Sequence, residues 1–68
     1  MSTGIVKKIE ARRRWSMLKG WRFWWVQIGG NGEVLSTSEM YPTATKRDQT
    51  AIQVASQLGV PYREKDGE

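Results

Sequence analysis

Residues 21–28 read WRFWWVQI and carry bulky apolar side chains at both odd and even positions. Because successive side chains alternate along a strand, a strand formed here has two apolar faces. One face carries Trp21, Phe23 and Trp25, and the other carries Trp24, Val26 and Ile28. In a small domain with a single helix, the helix can cover only one face of the sheet. The sequence therefore predicts a second cover, either another protein chain or a flat ligand that stacks on aromatic rings.

Composition limits the chemistry that the chain can perform. A chain of 68 residues is expected to form one domain, residues 1–68, with a small core and marginal stability. It contains no Cys and no His, which excludes disulfides, zinc sites built from these residues and histidine-based triads. No nucleophile lies beside a base, and the carboxylates form no metal-like cluster. We therefore expect a protein that is not an enzyme and that uses no cofactor, metal or small-molecule substrate.

The chain shows no targeting or membrane-spanning pattern. No apolar run approaches the ~20 residues of a membrane span, and the first residues contain no signal-like apolar region. We expect a cytoplasmic protein that does not associate with membranes.

Hydrophobic alternation and turn residues predict the order of the elements. The predicted strands cover residues 5–15, 21–28 and 33–38, the predicted helix covers residues 45–58, and a short final strand covers residues 62–65. Gly20 marks the first turn, and Asn31-Gly32 favours a type I′ turn at the second. We expect an α+β fold: a three-stranded antiparallel meander followed by one helix on one face, with a short C-terminal extended segment, completed by dimerisation.

The helix has two candidate starts and one apolar face. Thr45 followed by Asp48 resembles a capping box, and Thr43 is the alternative N-cap. The predicted apolar face consists of Ala51, Ile52, Ala55 and Leu58. Gly59 and Pro61 end the helix. The residues that we predict for the core are Phe23, Trp25, Ile52, Ala55 and Leu58.

Positive charge is concentrated at the start of the chain. Residues 1–22 hold seven basic residues and one acidic residue, a net charge of +6, whereas the remainder carries −2. Such a basic stripe is typical of a surface that meets phosphates, although it could also keep a small sheet soluble and guard its edge. The candidate nucleic-acid-binding residues are Arg12, Arg13, Arg14, Trp15, Lys19 and Arg22. Trp15 follows the arginine run and would stack on a base, or else pair across the strands with Trp21 or Phe23.

The second apolar face predicts self-association. Val26 and Ile28 have no π face to offer a nucleotide, so this face suits a subunit contact better than base stacking. The predicted dimer interface consists of Trp24, Val26 and Ile28.

The run NGEVLSTSEMY, residues 31–41, followed by a helix with an Ile-x-x-Ala face, resembles the YegP-like family of small uncharacterised proteins. The resemblance covers residues 21–58 and implies a β-β-β-α unit. Family members commonly carry two such repeats packed together, whereas this chain has one. The resemblance therefore implies a homodimer in which a second copy supplies the missing repeat.

A second, weaker resemblance concerns function. Three strands with basic residues on the first two, followed by a helix, look like the arm-binding domains of tyrosine recombinases, which lay a three-stranded sheet in the DNA major groove.

The basic hairpin and the apolar sheet face lead to two hypotheses about function. The chain is a homodimeric module that binds DNA or RNA through a basic, aromatic hairpin, or it is a protein-interaction or inhibitor subunit that uses its apolar sheet face.

Overall fold

The chain folds into one four-stranded sheet with a single helix. The structure is a computed structural model that describes residues 5–64. Its elements are β1 (Val6–Ser16), β2 (Gly20–Gly29), β3 (Val34–Thr37), α1 (Ala44–Leu58) and β4 (Tyr62–Glu64). The sheet order is β3-β2-β1-β4, in which β1, β2 and β3 form an antiparallel meander and β4 runs parallel to β1.

The predicted α+β fold is confirmed, and the element bounds differ from the predicted ones by one residue at most. Lys65, the last residue of the predicted final strand, lies outside the described residues. No helix within residues 5–64 is long and apolar enough to cross a membrane.

The helix covers one face of the sheet, which we call the helix face, and leaves the open face on the other side. Buried side chains between α1 and the sheet form the core, namely Ile9, Trp25, Ala51 and Ala55, with Val6, Tyr41, Val54, Val60 and Tyr62 packed around them. Trp25 belongs to this core, as predicted. Its side chain lies between the two long strands and the small residues of the helix.

Two predicted core residues on the helix are wrong. Ile52 and Leu58 are 56% and 47% exposed, and Phe23 is half-buried. The helix instead contacts the sheet along the line of Arg47, Ala51 and Ala55, which are spaced by four. Small alanine side chains let the helix approach the sheet closely. Because this line faces the sheet, the helix is rotated so that Ile52 and Leu58 point outward.

The helix ends follow the sequence signals with one correction. Thr43 is the N-cap, and its Oγ1 accepts a hydrogen bond from the Lys46 N–H at 3.2 Å. Thr45 lies inside the first turn, so it is not the cap. Gly59 ends the helix with a φ of 71°, a left-handed conformation that glycine adopts without strain.

The β2–β3 turn also differs from the expected geometry. A type I′ turn needs a positive φ at both central residues, but Asn31 has none and only Gly32 does, at 90°. The Gly32 N–H donates to the Gly29 carbonyl, and the Gly29 N–H donates to the Glu33 carbonyl. The hydrogen bond from Gly29 to Glu33 encloses a loop of three residues, 30–32, whereas a type I′ hairpin turn has two.

Candidate nucleic-acid interface

Residues 12–22, at the turn end of the β1–β2 pair, form the most basic part of the chain. We call this segment the basic hairpin; it contains five basic residues and no acidic residue. The two strands pair in register up to Ser16 opposite Gly20, and Gly20 adopts a φ of 75° to close the turn. The long antiparallel ladder therefore fixes the backbone positions from which the charged side chains project.

A groove lies at the turn end of the hairpin. Its volume is about 630 Å³, and it is lined by Arg14, Trp15, Ser16, Lys19, Arg22 and Met40. Four of these six are among the predicted nucleic-acid-binding residues. The structure thus brings Arg14, Trp15, Lys19 and Arg22 together around one concave surface.

Arg14 and Arg22 face each other directly across the two strands. Like charges in this arrangement repel and destabilise a sheet. The ion pairs formed within residues 5–64 involve Lys8, Arg12 and Arg47, and neither Arg14 nor Arg22. An anion in the groove would relieve this repulsion.

Arg12 differs from its neighbours because it already has a partner. Its Nε donates to Glu10 Oε2 at 3.0 Å, and the other oxygen of Glu10 lies 3.4 Å from Lys8 Nζ. One carboxylate thus partly neutralises two cations on the open face. Arg12 is therefore less available to a phosphate than Arg14 or Arg22.

The helix face of the hairpin is aromatic. Trp15 pairs with Trp21 across the strands, and Trp21 stacks on Phe23 with ring centroids 6.2 Å apart and planes inclined by 19°. The Arg13 guanidinium lies 5.2 Å from the centroid of the Trp21 ring. Trp15 and Trp21 are 55% and 48% exposed. Trp15 therefore has the cross-strand partner that the sequence allowed and still presents much of its ring to solvent.

Arg47 joins the helix to the base of the hairpin. This buried side chain donates from Nη1 to the Arg12 carbonyl at 3.0 Å, and its guanidinium lies 5.4 Å from the centroid of the Phe23 ring. Its Nε donates to Asp48 Oδ1 at 3.0 Å. The helix is therefore tied to the backbone of β1 just where the basic hairpin begins.

Tyr62 completes this cluster from β4. Its hydroxyl donates to the same Asp48 oxygen that Arg47 contacts. Burial, and then the hydrogen bond to Asp48, raise the pKa of Tyr62 well above its ordinary value of 10.0. The Tyr62 hydroxyl therefore keeps its proton to a higher pH than an exposed tyrosine and donates it to Asp48.

The predicted dimer residues lie on the open face, but two of them are buried within a single chain. Val26 and Ile28 are 1% and 4% exposed, and Trp24 is half-buried. Each lies opposite a charged residue of β1: Trp24 opposite Arg12, Val26 opposite Glu10, and Ile28 opposite Lys8. The aliphatic stems of such long side chains can cover apolar neighbours. The burial removes the reason for expecting a second cover over Val26 and Ile28, and the dimer stays a prediction.

Several residues of the site were outside the predicted set. Met40 lines the groove because the segment after β3 returns along β2, where Phe23 and Tyr41 exchange two backbone hydrogen bonds. No local sequence pattern predicts that the segment after β3 pairs with β2. Trp21 was predictable from the sequence. A turn of three residues that pairs Ser16 with Gly20 places Trp21 opposite Trp15. Arg47 sits within a polar run at the helix start and gives no signal that it is buried.

No family model, curated protein or solved structure matches this chain. The resemblance to the YegP-like family therefore stays a prediction.

Proposed function

We propose that this chain is a non-enzymatic nucleic-acid-binding module and that the basic hairpin is its binding surface. The observation that supports the proposal best is the directly opposed pair Arg14 and Arg22 beside a groove that Trp15 and Lys19 also line. Two arginines held against each other cost the sheet stability. A bound polyanion would offset this cost, because its negative charges reduce the repulsion between the two guanidinium groups.

The expected binding mode is contact with the phosphate backbone. Arginine forks form bidentate hydrogen bonds to phosphate oxygens, and lysine contributes a mobile point charge. Arg14, Arg22 and Lys19 line the groove, and Arg13 lies on the opposite face of the same hairpin. The four cations are distributed over the two faces of one hairpin. This distribution suits a nucleic-acid backbone that passes over the β1–β2 turn.

The alternative, a protein-interaction subunit that uses the open sheet face, has less support. Val26 and Ile28 are buried within the chain and offer almost no apolar surface to a partner. Of the three residues that motivated the alternative, Trp24 keeps exposed surface.

Titration of a fluorescently labelled oligonucleotide at salt concentrations from 50 to 200 mM tests the proposal. If four phosphates are neutralised, the logarithm of the association constant should fall against the logarithm of salt concentration with a slope of about −3 to −4. A poly-glutamate peptide of equal charge serves as the control anion. Absence of binding at 50 mM salt, or a slope near zero, would contradict the proposal.

A further inference from the structure

We infer that the nucleic acid bound by the basic hairpin is single-stranded, with its bases stacked on Trp15 and Trp21. The inference rests on the proposed function and adds to it the strandedness of the ligand. It comes from the aromatic side of the hairpin, which phosphate binding alone does not require.

The indoles of Trp15 and Trp21 are both exposed on one face at the end of the sheet, and we call this surface the platform. They lie directly opposite each other, and about half of each side chain is exposed to solvent. Phe23 stacks on Trp21 from within, and Arg47 of the helix lies over the Phe23 ring. The inner end of the aromatic row is thus fixed by the helix, while about half of each indole at the outer end is exposed to solvent.

The platform and the phosphate groove are continuous. Trp15 lines the groove together with Arg14 and Lys19, and it also pairs with Trp21 on the aromatic face. Arg13, over the Trp21 ring, adds a cation beside the platform. A strand whose phosphates lie in the groove can therefore place neighbouring bases on the indoles.

Single strands fit this arrangement better than duplexes. Each base in a duplex already stacks on its neighbours, so its π face is not available to an indole. Single-strand-binding proteins combine a basic groove with aromatic rings on which unpaired bases stack. A duplex would use the cations of the hairpin and leave both indoles in water.

Affinity for three labelled ligands tests the inference: an unstructured 12-nucleotide single strand, the blunt duplex of that strand with its complement, and an abasic strand with the same number of phosphates. We expect the single strand to bind at least fivefold more tightly than either of the others. Replacing Trp15 by Ala should weaken single-strand binding between about fivefold and a hundredfold and leave abasic-strand binding unchanged. Trp15→Phe should restore most of the loss.

Met17→Ala is the matched control, because Met17 is exposed at the same turn and has no ring. The abasic strand tests stacking without altering the protein, so the inference does not depend on the folding of a variant. Equal affinity for single strand, duplex and abasic strand would overturn the inference and leave the proposed function standing. Failure of all three ligands to bind at low salt would overturn both.

Discussion

Replacing both Arg14 and Arg22 by Glu is expected to weaken oligonucleotide binding about a hundredfold at 50 mM salt, since each lost phosphate contact also loses the release of a counterion. The two side chains lie opposite each other on β1 and β2 and line the same groove. The fold should persist, because one repelling pair replaces another. Fluorescence anisotropy measures the affinity, and circular dichroism checks the fold.

The control is the double variant Lys7→Glu with Arg63→Glu, which changes the net charge equally at exposed positions outside the groove. It should bind within a few-fold of the unaltered protein. Equal losses in the two double variants would show that overall charge, and not the groove, determines binding.

Arg14→Glu alone separates function from stability. It places a carboxylate opposite Arg22, and such an opposite-charge pair stabilises a sheet by roughly 0.2–1 kcal/mol. The single variant should therefore unfold at a higher temperature and bind nucleic acid more weakly. A variant that loses stability and affinity together would contradict a functional origin of the arginine pair.

Trp25→Ala is expected to have the largest effect on stability, a loss of about 3–5 kcal/mol. The indole is buried in the core with Ile9, Ala51 and Ala55, and the alanines of the helix are too small to fill the space that it would leave. A domain of this size has about that much stability in total. Trp25→Ala should thus lose its cooperative thermal unfolding transition, measured by circular dichroism.

Trp24→Ala is the matched control for Trp25→Ala. The two residues are adjacent in β2 but point to opposite faces, and Trp24 is half-buried outside the core cluster. Trp24→Ala should fold with a smaller loss of stability. In sedimentation it should also show weaker self-association if Trp24 contributes to a dimer, and an unchanged mass would remove Trp24 from that interface. Equal destabilisation by both substitutions would contradict the described core.

The fold was predictable because its signals are local. The alternation in residues 21–28 identifies β2 and its two faces, and Gly20, Gly32 and Gly59 occupy positions with positive φ. Thr43 and Thr45 were both acceptable caps by sequence. The structure distinguishes them, because the Thr43 side chain accepts the Lys46 N–H and Thr45 lies within the first turn.

The wrong predictions concern residues whose burial is determined by tertiary contacts. The burial of Val26 and Ile28 depends on the β1 register, which places Glu10 and Lys8 opposite them. The alternation within one strand does not show which residues of the neighbouring strands lie opposite an apolar residue. The outward position of Ile52 likewise depends on the rotation of the helix that buries Arg47.

The basic hairpin was predicted from charge, but its division into two faces was not. The alternation of side chains places Arg14 and Arg22 on the open face and Arg13 with Trp21 on the other. The role of Arg12 changed because Glu10, two residues earlier on the same face, binds it. Such pairing follows from strand geometry once the register is known.

The four tryptophans can report whether nucleic acid binds at the basic hairpin. In a ¹⁵N-labelled sample, the indole N–H groups of Trp15, Trp21, Trp24 and Trp25 give four separate signals in the nuclear magnetic resonance spectrum. Adding a single-stranded oligonucleotide should shift the signals of Trp15 and Trp21, on the basic hairpin, and leave that of Trp25 in the core unchanged. If the Trp24 signal alone moves, or if none moves at a concentration where binding is saturated, the hairpin is not the binding surface.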